Sequence, residues 1–228
     1  MKISLFLILV CLCSSIAIGQ ERYVKPVDEA AKDASFLAFR TKLIAAAERH
    51  DARYILGIID PQIKLGFGGD DGLANFKKIW KINAKDSKFW EEFLAVIKNG
   101  GAFDGQGKNK YSSFTAPYLF SSWPEDIDGF EYIAVFGSDV NLRERPSADA
   151  KIVSTLSYNV VKPNNDESTT IKTGPGEDDW EFDWRKVETL GGKSGFVKAK
   201  YARSSIDYRA GFEKIRGVWK LTFLVAGD

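Results

Sequence analysis

The segment of residues 137–147, GSDVNLRERPS, restricts the fold of this chain more than any other stretch. It opens with a glycine-containing turn signal and continues with Val140 and Leu142 on one side and Asn141 and Arg143 on the other. This alternation is typical of a strand with one buried face, and the Pro-Ser pair that follows is typical of a turn. The segment therefore predicts a short β-strand held between two turns.

This segment resembles the signature strand and turn of bacterial SH3 domains, which read roughly V-N-[LV]-R-x-x-P-S. Three later segments extend the resemblance: residues 152–156 lie where the family has its next strand, residues 184–187 (WRKV) resemble its W-x-K-V strand, and residues 192–197 (GKSGFV) are similar to its G-x-x-G-W-V hairpin. Tyr201 follows closely. The resemblance covers about residues 131–203 and implies a small β-barrel that is used for binding.

The resemblance also implies where a ligand would be bound. Loops of a small barrel form its recognition surface, where aromatic side chains give contact area and polar side chains give orientation. The family pattern places this surface at Arg143, Glu144, Arg145, Tyr158, Trp180, Trp184 and Tyr201. The alternative interpretation is structural: Trp184 belongs to the core of its strand, and Arg143 and Arg145 brace the turn through weak ion pairs.

The first 19 residues predict a secretory signal peptide. Lys2 precedes an apolar run at residues 3–12, and small residues follow. The run is too short to span a bilayer, which needs roughly 20 apolar residues. Both cysteines, Cys11 and Cys13, lie in this segment, so the mature chain would contain no thiol and no disulfide. We therefore expect a periplasmic or extracellular protein with no membrane insertion after signal cleavage.

The charge of the mature chain argues against two classes of partner. The full chain has 32 basic and 31 acidic residues, and removal of the signal peptide takes away only the charge of Lys2. The mature protein would thus be electrically balanced, whereas nucleic-acid binders carry a basic excess. Basic and acidic residues also alternate along the chain, so no polybasic patch exists to hold an anionic membrane surface.

Four segments outside the SH3-like region predict helices, because their apolar residues recur at three- and four-residue spacings. They are residues 28–48, 51–59, 73–82 and 87–98. The predicted buried side of the first helix consists of Ala31, Ala34, Leu37, Ala38, Leu43, Ile44 and Ala47. The predicted buried side of the third helix consists of Phe76, Ile79 and Trp80.

The remaining segments predict strands and loops. Strict alternation predicts a strand at residues 62–67, and residues 111–123 are aromatic and fit a strand or irregular buried structure. Glycine-rich residues 101–109 predict a mobile loop. The polar and acidic residues 163–179 predict a long loop between two strands. Residues 212–225 contain two alternating strands joined across Arg216-Gly217, which predicts a hairpin.

This hairpin decides the predicted architecture. A bacterial SH3 domain is complete near residue 203, while the helical N-terminal region needs more strands to cover its helices. We therefore predict an α+β fold in which residues 20–130 and 204–228 form one domain and residues 131–203 form an inserted SH3-like barrel. The order of helix, strand, helices and a closing G-x-W-K-L-T-F hairpin also resembles a nuclear-transport-factor-like α+β cone.

Catalytic and metal constellations find little support in the sequence. The mature chain would lack a cysteine nucleophile, which excludes a papain-like peptidase, and a single histidine, His50, excludes a multi-histidine zinc site. We expect His50 to be a solvated residue at a helix end. The acidic segments 126–129 and 177–179 lack the ligand spacing of a calcium loop. We predict no catalytic residue, no metal and no cofactor.

These observations predict a secreted noncatalytic binding protein of the bacterial cell envelope, whose SH3-like module recognises cell-wall peptide or a protein partner. The alternative is a carboxylate-dependent cell-wall hydrolase that uses the module for targeting. Glycoside hydrolysis needs two carboxyl groups at a defined separation. Nothing in the spacing selects a pair among the candidates Asp70, Asp71, Glu91, Glu92, Asp104, Glu125 and Asp126.

Overall fold

The computed structural model describes residues 19–173 and 180–227. The predicted signal peptide, except for Gly19, lies outside the described residues, and so do residues 174–179 of the predicted acidic loop. The described chain combines a few helices with two β-sheets, one of them curled into a half-barrel, so the predicted α+β class is confirmed. No described helix is long and apolar enough to cross a membrane.

Between residues 19 and 132 the structure describes five α-helices: α1 (Ala34–Glu48), α2 (Ala52–Ile58), α3 (Leu73–Trp80), α4 (Phe89–Ile97) and α5 (Tyr118–Ser121). The four predicted helices are thus present with shorter bounds. A 3₁₀ turn, Ala30–Lys32, precedes α1 in place of the predicted first helical turn.

The first sheet has five strands in the order β1-β12-β11-β3-β2. Its strands are β1 (Ile59–Lys64), β2 (Ala102–Phe103), β3 (Ser113–Ala116), β11 (Arg209–Ile215) and β12 (Val218–Val225). The predicted hairpin is confirmed, with Arg216 and Gly217 both at positive φ in its two-residue turn. β12 pairs in parallel with β1, and β11 pairs with β3, so the hairpin returns to the N-terminal region as predicted.

The second sheet has seven strands in the order β10-β4-β7-β8-β9-β5-β6. Its strands are β4 (Ile133–Val135), β5 (Val140–Arg143), β6 (Ile152–Leu156), β7 (Val160–Lys172), β8 (Trp180–Thr189), β9 (Ser194–Lys198) and β10 (Ala202–Arg203). Val140 and Leu142 of β5 are buried in the core of this sheet, as their alternation predicts.

Two predicted loops contain regular structure. Residues 101–109 hold strand β2 and a 3₁₀ turn, Gly107–Asn109, because Phe103 packs against the core ring of Phe36, with the ring centroids 5.5 Å apart. Most of the described part of residues 163–179 belongs to β7, which pairs with β8 as far as Lys172. A polar sequence can form this ladder because the side chains of residues 162–172 on β7 are exposed or half-buried, so alternation with apolar residues is not needed.

The predicted buried faces of two helices need correction. α1 buries Phe36, Leu43, Ala46 and Ala47, whereas Leu37 is 41% exposed. Apolar residues occur around the whole of α1, so their spacing does not determine which side faces the core. In α3, Phe76 is buried as predicted, but Ile79 is 51% exposed, and Leu73 and Trp80 pack against the core instead.

Asp33 is the N-cap of α1, and we expect its replacement by alanine to cost about 1 kcal/mol at neutral pH. Its carboxylate accepts hydrogen bonds from the Ser35 hydroxyl (2.5 Å) and the Phe36 amide (2.7 Å), and these bonds lower the pKa of Asp33. Because its pKa is lower in the folded state, ionised Asp33 stabilises the fold above the unfolded pKa of about 3.9. This stabilisation is lost as the pH falls through the folded pKa.

Urea unfolding of wild type and Asp33→Ala at pH 7 and at pH 2 checks this expectation. The difference in unfolding free energy should be smaller at pH 2, because the contribution of the ionised cap is lost as the pH falls through the folded pKa of Asp33. Asp70→Ala is the control, since Asp70 is exposed and lies in the turn before α3. A difference that is the same at both pH values would contradict the capping role.

A further hydrophobic cluster joins the segment before α1 and helix α5 to the second sheet. Val24, Tyr118 and Leu119 pack there against Ala134 and Val160 of the second sheet. The chain before α1 also joins the second sheet directly. The Val24 amide donates to the Tyr158 carbonyl and the Val160 amide donates to the Arg22 carbonyl, both at 2.8 Å, while Glu21 accepts a hydrogen bond from the Thr189 hydroxyl at 2.7 Å.

Candidate binding groove

An open groove of about 370 Å³ lies on the second sheet, beside strand β5. We call it the aromatic groove, and it is lined by Ser138, Asp139, Val140, Asn141, Arg143, Ala148, Trp184, Lys198, Lys200 and Tyr201. Strand β5, the middle of β8, the end of β9 and the 3₁₀ turn Ala199–Tyr201 therefore supply its walls.

Trp184 forms one wall of the aromatic groove. It pairs with Lys198 across β8 and β9, and the Lys198 ammonium lies 4.9 Å from the centre of the indole ring. Asp183 holds the same ammonium at 2.5 Å. The cation–π contact between Lys198 and Trp184 holds the lysine side chain over the indole ring. Trp184 is 8% exposed, so the indole packs in its sheet and also borders the groove.

Arg143 and Tyr201 form the opposite part of the lining. One guanidinium nitrogen of Arg143 donates to the Ala150 carbonyl at 2.7 Å, which braces the turn that follows β5. Arg143 thus braces its turn through a hydrogen bond to the backbone, whereas the structural interpretation of the sequence invoked an ion pair, and the same side chain lines the groove. Tyr201 is exposed, and the Lys200 ammonium lies 4.9 Å from the centre of its ring.

The structure brings together three of the seven predicted binding residues, namely Arg143, Trp184 and Tyr201. Glu144 and Arg145 are exposed in the turn after β5 and are not part of the lining. Their backbone follows the sharp bend from β5 to β6, so their side chains do not follow the alternation of β5.

The other two predicted residues lie elsewhere. Tyr158 has a φ of 59° and lines a separate depression of about 300 Å³, together with Tyr118 and Phe136. Trp180 begins β8, where its backbone pairs with Lys172, but its side chain lies outside the described part of the structure.

Three charged residues of the lining were not predicted from the sequence, namely Asp139, Lys198 and Lys200. The two lysines belong to a K-A-K-Y run that leads into Tyr201, and this run was the available signal. This run does not stand out in the sequence, because lysines are distributed evenly along the chain. With Arg143, they give the groove three cationic side chains against the carboxylate of Asp139, and Asp183 offsets only Lys198.

The candidate catalytic carboxylates are spread over the molecule. Asp71 binds Lys64 at 2.5 Å, Asp126 binds Arg22 at 2.8 Å and Glu92 binds Arg203 at 2.5 Å. Hydrogen bonds from Lys64 and Arg22 lower the pKa values of Asp71 and Asp126. Asp104 accepts a hydrogen bond from the Thr115 hydroxyl at 2.9 Å. The carboxylates of Asp70, Glu91 and Glu125 belong to exposed residues. Glu91 and Glu92 line a cleft of about 630 Å³ together with Trp80 and Tyr208.

His50 is exposed at the end of α1, as predicted, and stacks parallel to Trp90 with 4.7 Å between the ring centres. Within the described ranges, no three His, Cys, Asp or Glu side chains are grouped so that they could hold a metal ion. In the acidic segment 126–129, Asp126 pairs with Arg22 and Asp128 accepts from the Phe130 amide. The acidic segment 177–179 lies outside the described residues.

No family model, no curated protein and no solved structure matches this chain. A function for the protein has to be argued from its own residues. The aromatic groove is the feature on which that argument rests.

Proposed function

We propose that this protein is a secreted noncatalytic binding protein of the bacterial cell envelope, and that the aromatic groove binds cell-wall peptide or a peptide segment of a protein partner. The observation that carries the proposal is the meeting of Trp184, Tyr201 and Arg143 in one open groove. Aromatic walls give a ligand contact area, and a guanidinium held by a backbone carbonyl gives it orientation.

We also propose that residues 131–203 form an SH3-like module inserted into an α+β domain of residues 20–130 and 204–228. The sheet topology supports this division, because all strands of the second sheet lie between residues 133 and 203, while those of the first sheet lie on either side. The predicted signal peptide supports export to the periplasm or the exterior. The balanced charge supports a peptide ligand over nucleic acid.

Retention on purified peptidoglycan tests the wall-peptide branch. We expect the wild-type protein to sediment with the insoluble wall, and the Trp184→Ala and Tyr201→Ala variants to show at least tenfold weaker retention, because each loses an aromatic wall of the groove. Tyr201 is the cleaner variant, since its exposed side chain contributes less to folding.

Phe130→Ala is the matched control, because Phe130 is an exposed aromatic residue outside the groove lining. Circular dichroism of each variant verifies the fold. Wild-type retention no greater than that of Trp184→Ala would exclude the wall as ligand and leave the protein-partner branch.

A further inference from the structure

A cleft of about 630 Å³ lies between helix α4 and the second sheet. The N-terminal end of α4 supplies Lys88, Glu91 and Glu92 to its lining, while β8 and β10 supply Glu181 and Arg203. We call it the α4 cleft. Ligand pockets occur preferentially where two parts of a fold meet, so this cleft is a candidate for a second binding site.

Two aromatic rings form a wall of the α4 cleft. Trp80 ends α3 and Tyr208 precedes β11, and their ring centres lie 4.9 Å apart. Trp80 also contacts the core ring of Phe89, with 5.6 Å between the ring centres, which holds the indole in place. Trp80 and Tyr208 are both half-buried, so each keeps accessible surface for a ligand.

The charges of the α4 cleft are balanced. The described lining contains three cations and three carboxylates, namely Lys88, Lys200, Arg203, Glu91, Glu92 and Glu181. Four of them form ion pairs that join α4 to the second sheet: Lys88 binds Glu181 at 2.9 Å and Arg203 binds Glu92 at 2.5 Å. A ligand with a net charge would have to compete with these ion pairs, whereas a neutral ligand leaves both intact.

The charged groups are within reach of a ligand in the open cleft. The side chains of Lys88 and Glu181 are 67% and 58% exposed, and that of Glu92 is 31% exposed. Glu91 is also an exposed residue. Ammonium groups only donate hydrogen bonds and carboxylates only accept them, so the α4 cleft offers both kinds of partner side by side.

A saccharide has the chemistry that matches this lining. Its hydroxyl groups both donate and accept hydrogen bonds, so they can bind ammonium and carboxylate groups without carrying a charge. The C–H bonds on the face of a sugar ring pack against an aromatic ring, because the aromatic face carries partial negative charge. The aromatic wall and the balanced charges therefore favour the same class of ligand.

We propose that the α4 cleft binds a neutral saccharide chain, whose sugar ring packs on Trp80 and Tyr208 and whose hydroxyl groups bond to Glu91 and to the two ion pairs. Lys200 lines both the α4 cleft and the aromatic groove, so the two sites are adjacent. A wall chain that carries a peptide on a sugar can occupy both sites at once. Only this link to the wall rests on the proposed function.

Isothermal titration calorimetry with three β-1,4-linked trisaccharides tests the inference. The probes are neutral triacetylchitotriose, the cationic trisaccharide of glucosamine and the anionic trisaccharide of glucuronic acid. We expect the neutral probe to bind at least tenfold more tightly than either charged probe, because only the neutral one leaves both ion pairs intact.

Trp80→Ala should weaken binding of triacetylchitotriose at least tenfold, because it removes the larger ring of the aromatic wall. Trp123→Ala is the matched control, since Trp123 is also half-buried but lies outside the lining. Glu91→Ala should weaken binding about threefold to tenfold, as expected for one lost hydrogen bond. Its control is Glu125→Ala, at an exposed glutamate outside the cleft.

Circular dichroism verifies the fold of each variant, and Glu91→Ala decides the question if Trp80→Ala does not fold. No binding of triacetylchitotriose at millimolar concentration, or equal affinity of Glu91→Ala and wild type, would overturn the inference. Tighter binding of a charged trisaccharide or of the neutral peptide (Gly-Ser)₃ would also overturn it.

Two further results separate this inference from the proposed function. Trp184→Ala should leave trisaccharide binding unchanged, because Trp184 lines the aromatic groove and not the α4 cleft. Absence of wall retention by a protein that binds triacetylchitotriose would remove wall binding and leave the inference standing. Competition identifies the source of the saccharide. Wall retention that falls in excess triacetylchitotriose would assign the cleft to the wall glycan, and unchanged retention would assign it to another saccharide.

Discussion

Replacement of Phe36 by alanine is expected to lower the free energy of unfolding by about 3–5 kcal/mol. Phe36 is fully buried, and its ring centre lies 4.2 Å from that of Phe114 and 4.7 Å from that of Trp219. These rings come from α1, β3 and β12, so the side chain joins the first helix to the first sheet. Alanine would leave a cavity among rigid rings that cannot collapse to fill it.

Phe130→Ala provides the matched control, because it removes the same side chain from a position that is 67% exposed. We expect this variant to change stability by no more than about 0.5 kcal/mol. Urea unfolding of the three proteins, followed by circular dichroism, gives both values. Similar losses for the two variants would show that the aromatic cluster does not hold the first sheet to α1.

Replacement of Gly101 by alanine is expected to cost about 3 kcal/mol or more, although it adds only a methyl group. Gly101 has a φ of 143°, and its added Cβ would lie 2.2 Å from the Thr115 carbonyl oxygen and 2.7 Å from the Phe114 ring. The amide of Gly101 also donates to Val27 at 2.9 Å, and its carbonyl accepts from Glu29 at 3.0 Å. The backbone is thus held from both sides and has no room to move away.

Gly57→Ala is the opposite case and serves as the control. Gly57 lies within α2, and nothing stands within 4 Å of its added Cβ. Alanine there should raise stability by about 0.5–1 kcal/mol, because a helical glycine loses more conformational freedom on folding. Thermal unfolding of both variants measures the pair. A Gly101→Ala protein as stable as Gly57→Ala would contradict the close packing around Gly101.

The sequence predicted those parts of the fold that depend on local periodicity. The four helices, the strand β5 and the hairpin of β11 and β12 all follow from apolar spacing and from Arg216-Gly217, and the structure contains them. The return of the hairpin to β1 was predicted because the helices of the N-terminal region need strands to cover their apolar faces. This prediction succeeded because it considered the burial of apolar surface, which involves residues distant in the sequence, in addition to the local pattern.

The predictions failed where the sequence pattern does not determine the direction of a side chain. The spacing of apolar residues predicts that Leu37 is buried, but apolar residues occur around the whole of α1. The contact of Phe36 with distant rings sets the rotation of the helix and leaves Leu37 exposed. The extended ladder of β7 was predicted as a loop because its residues are polar. Its partner β8 supplies the backbone hydrogen bonds that the composition does not reveal.

The candidate site was also only partly predictable from the sequence. Arg143, Trp184 and Tyr201 come from three separate segments, and the structure brings them together in the aromatic groove. The burial of Tyr118 has no sequence signal, because Tyr118 follows a proline in an ordinary aromatic stretch. It results from packing against Val24, Ala134 and Val160, which come from distant parts of the chain.

The central position of the hairpin in the first sheet has a consequence for the folding pathway. β12 pairs with β1 through Ile59 and Leu221, which are 162 positions apart in the sequence. Contacts between residues so far apart in the sequence slow folding, because a long loop must close before they form. The first sheet therefore stays open during synthesis until residue 225 has emerged, and the aromatic side chains around Phe36 need protection from aggregation in that interval.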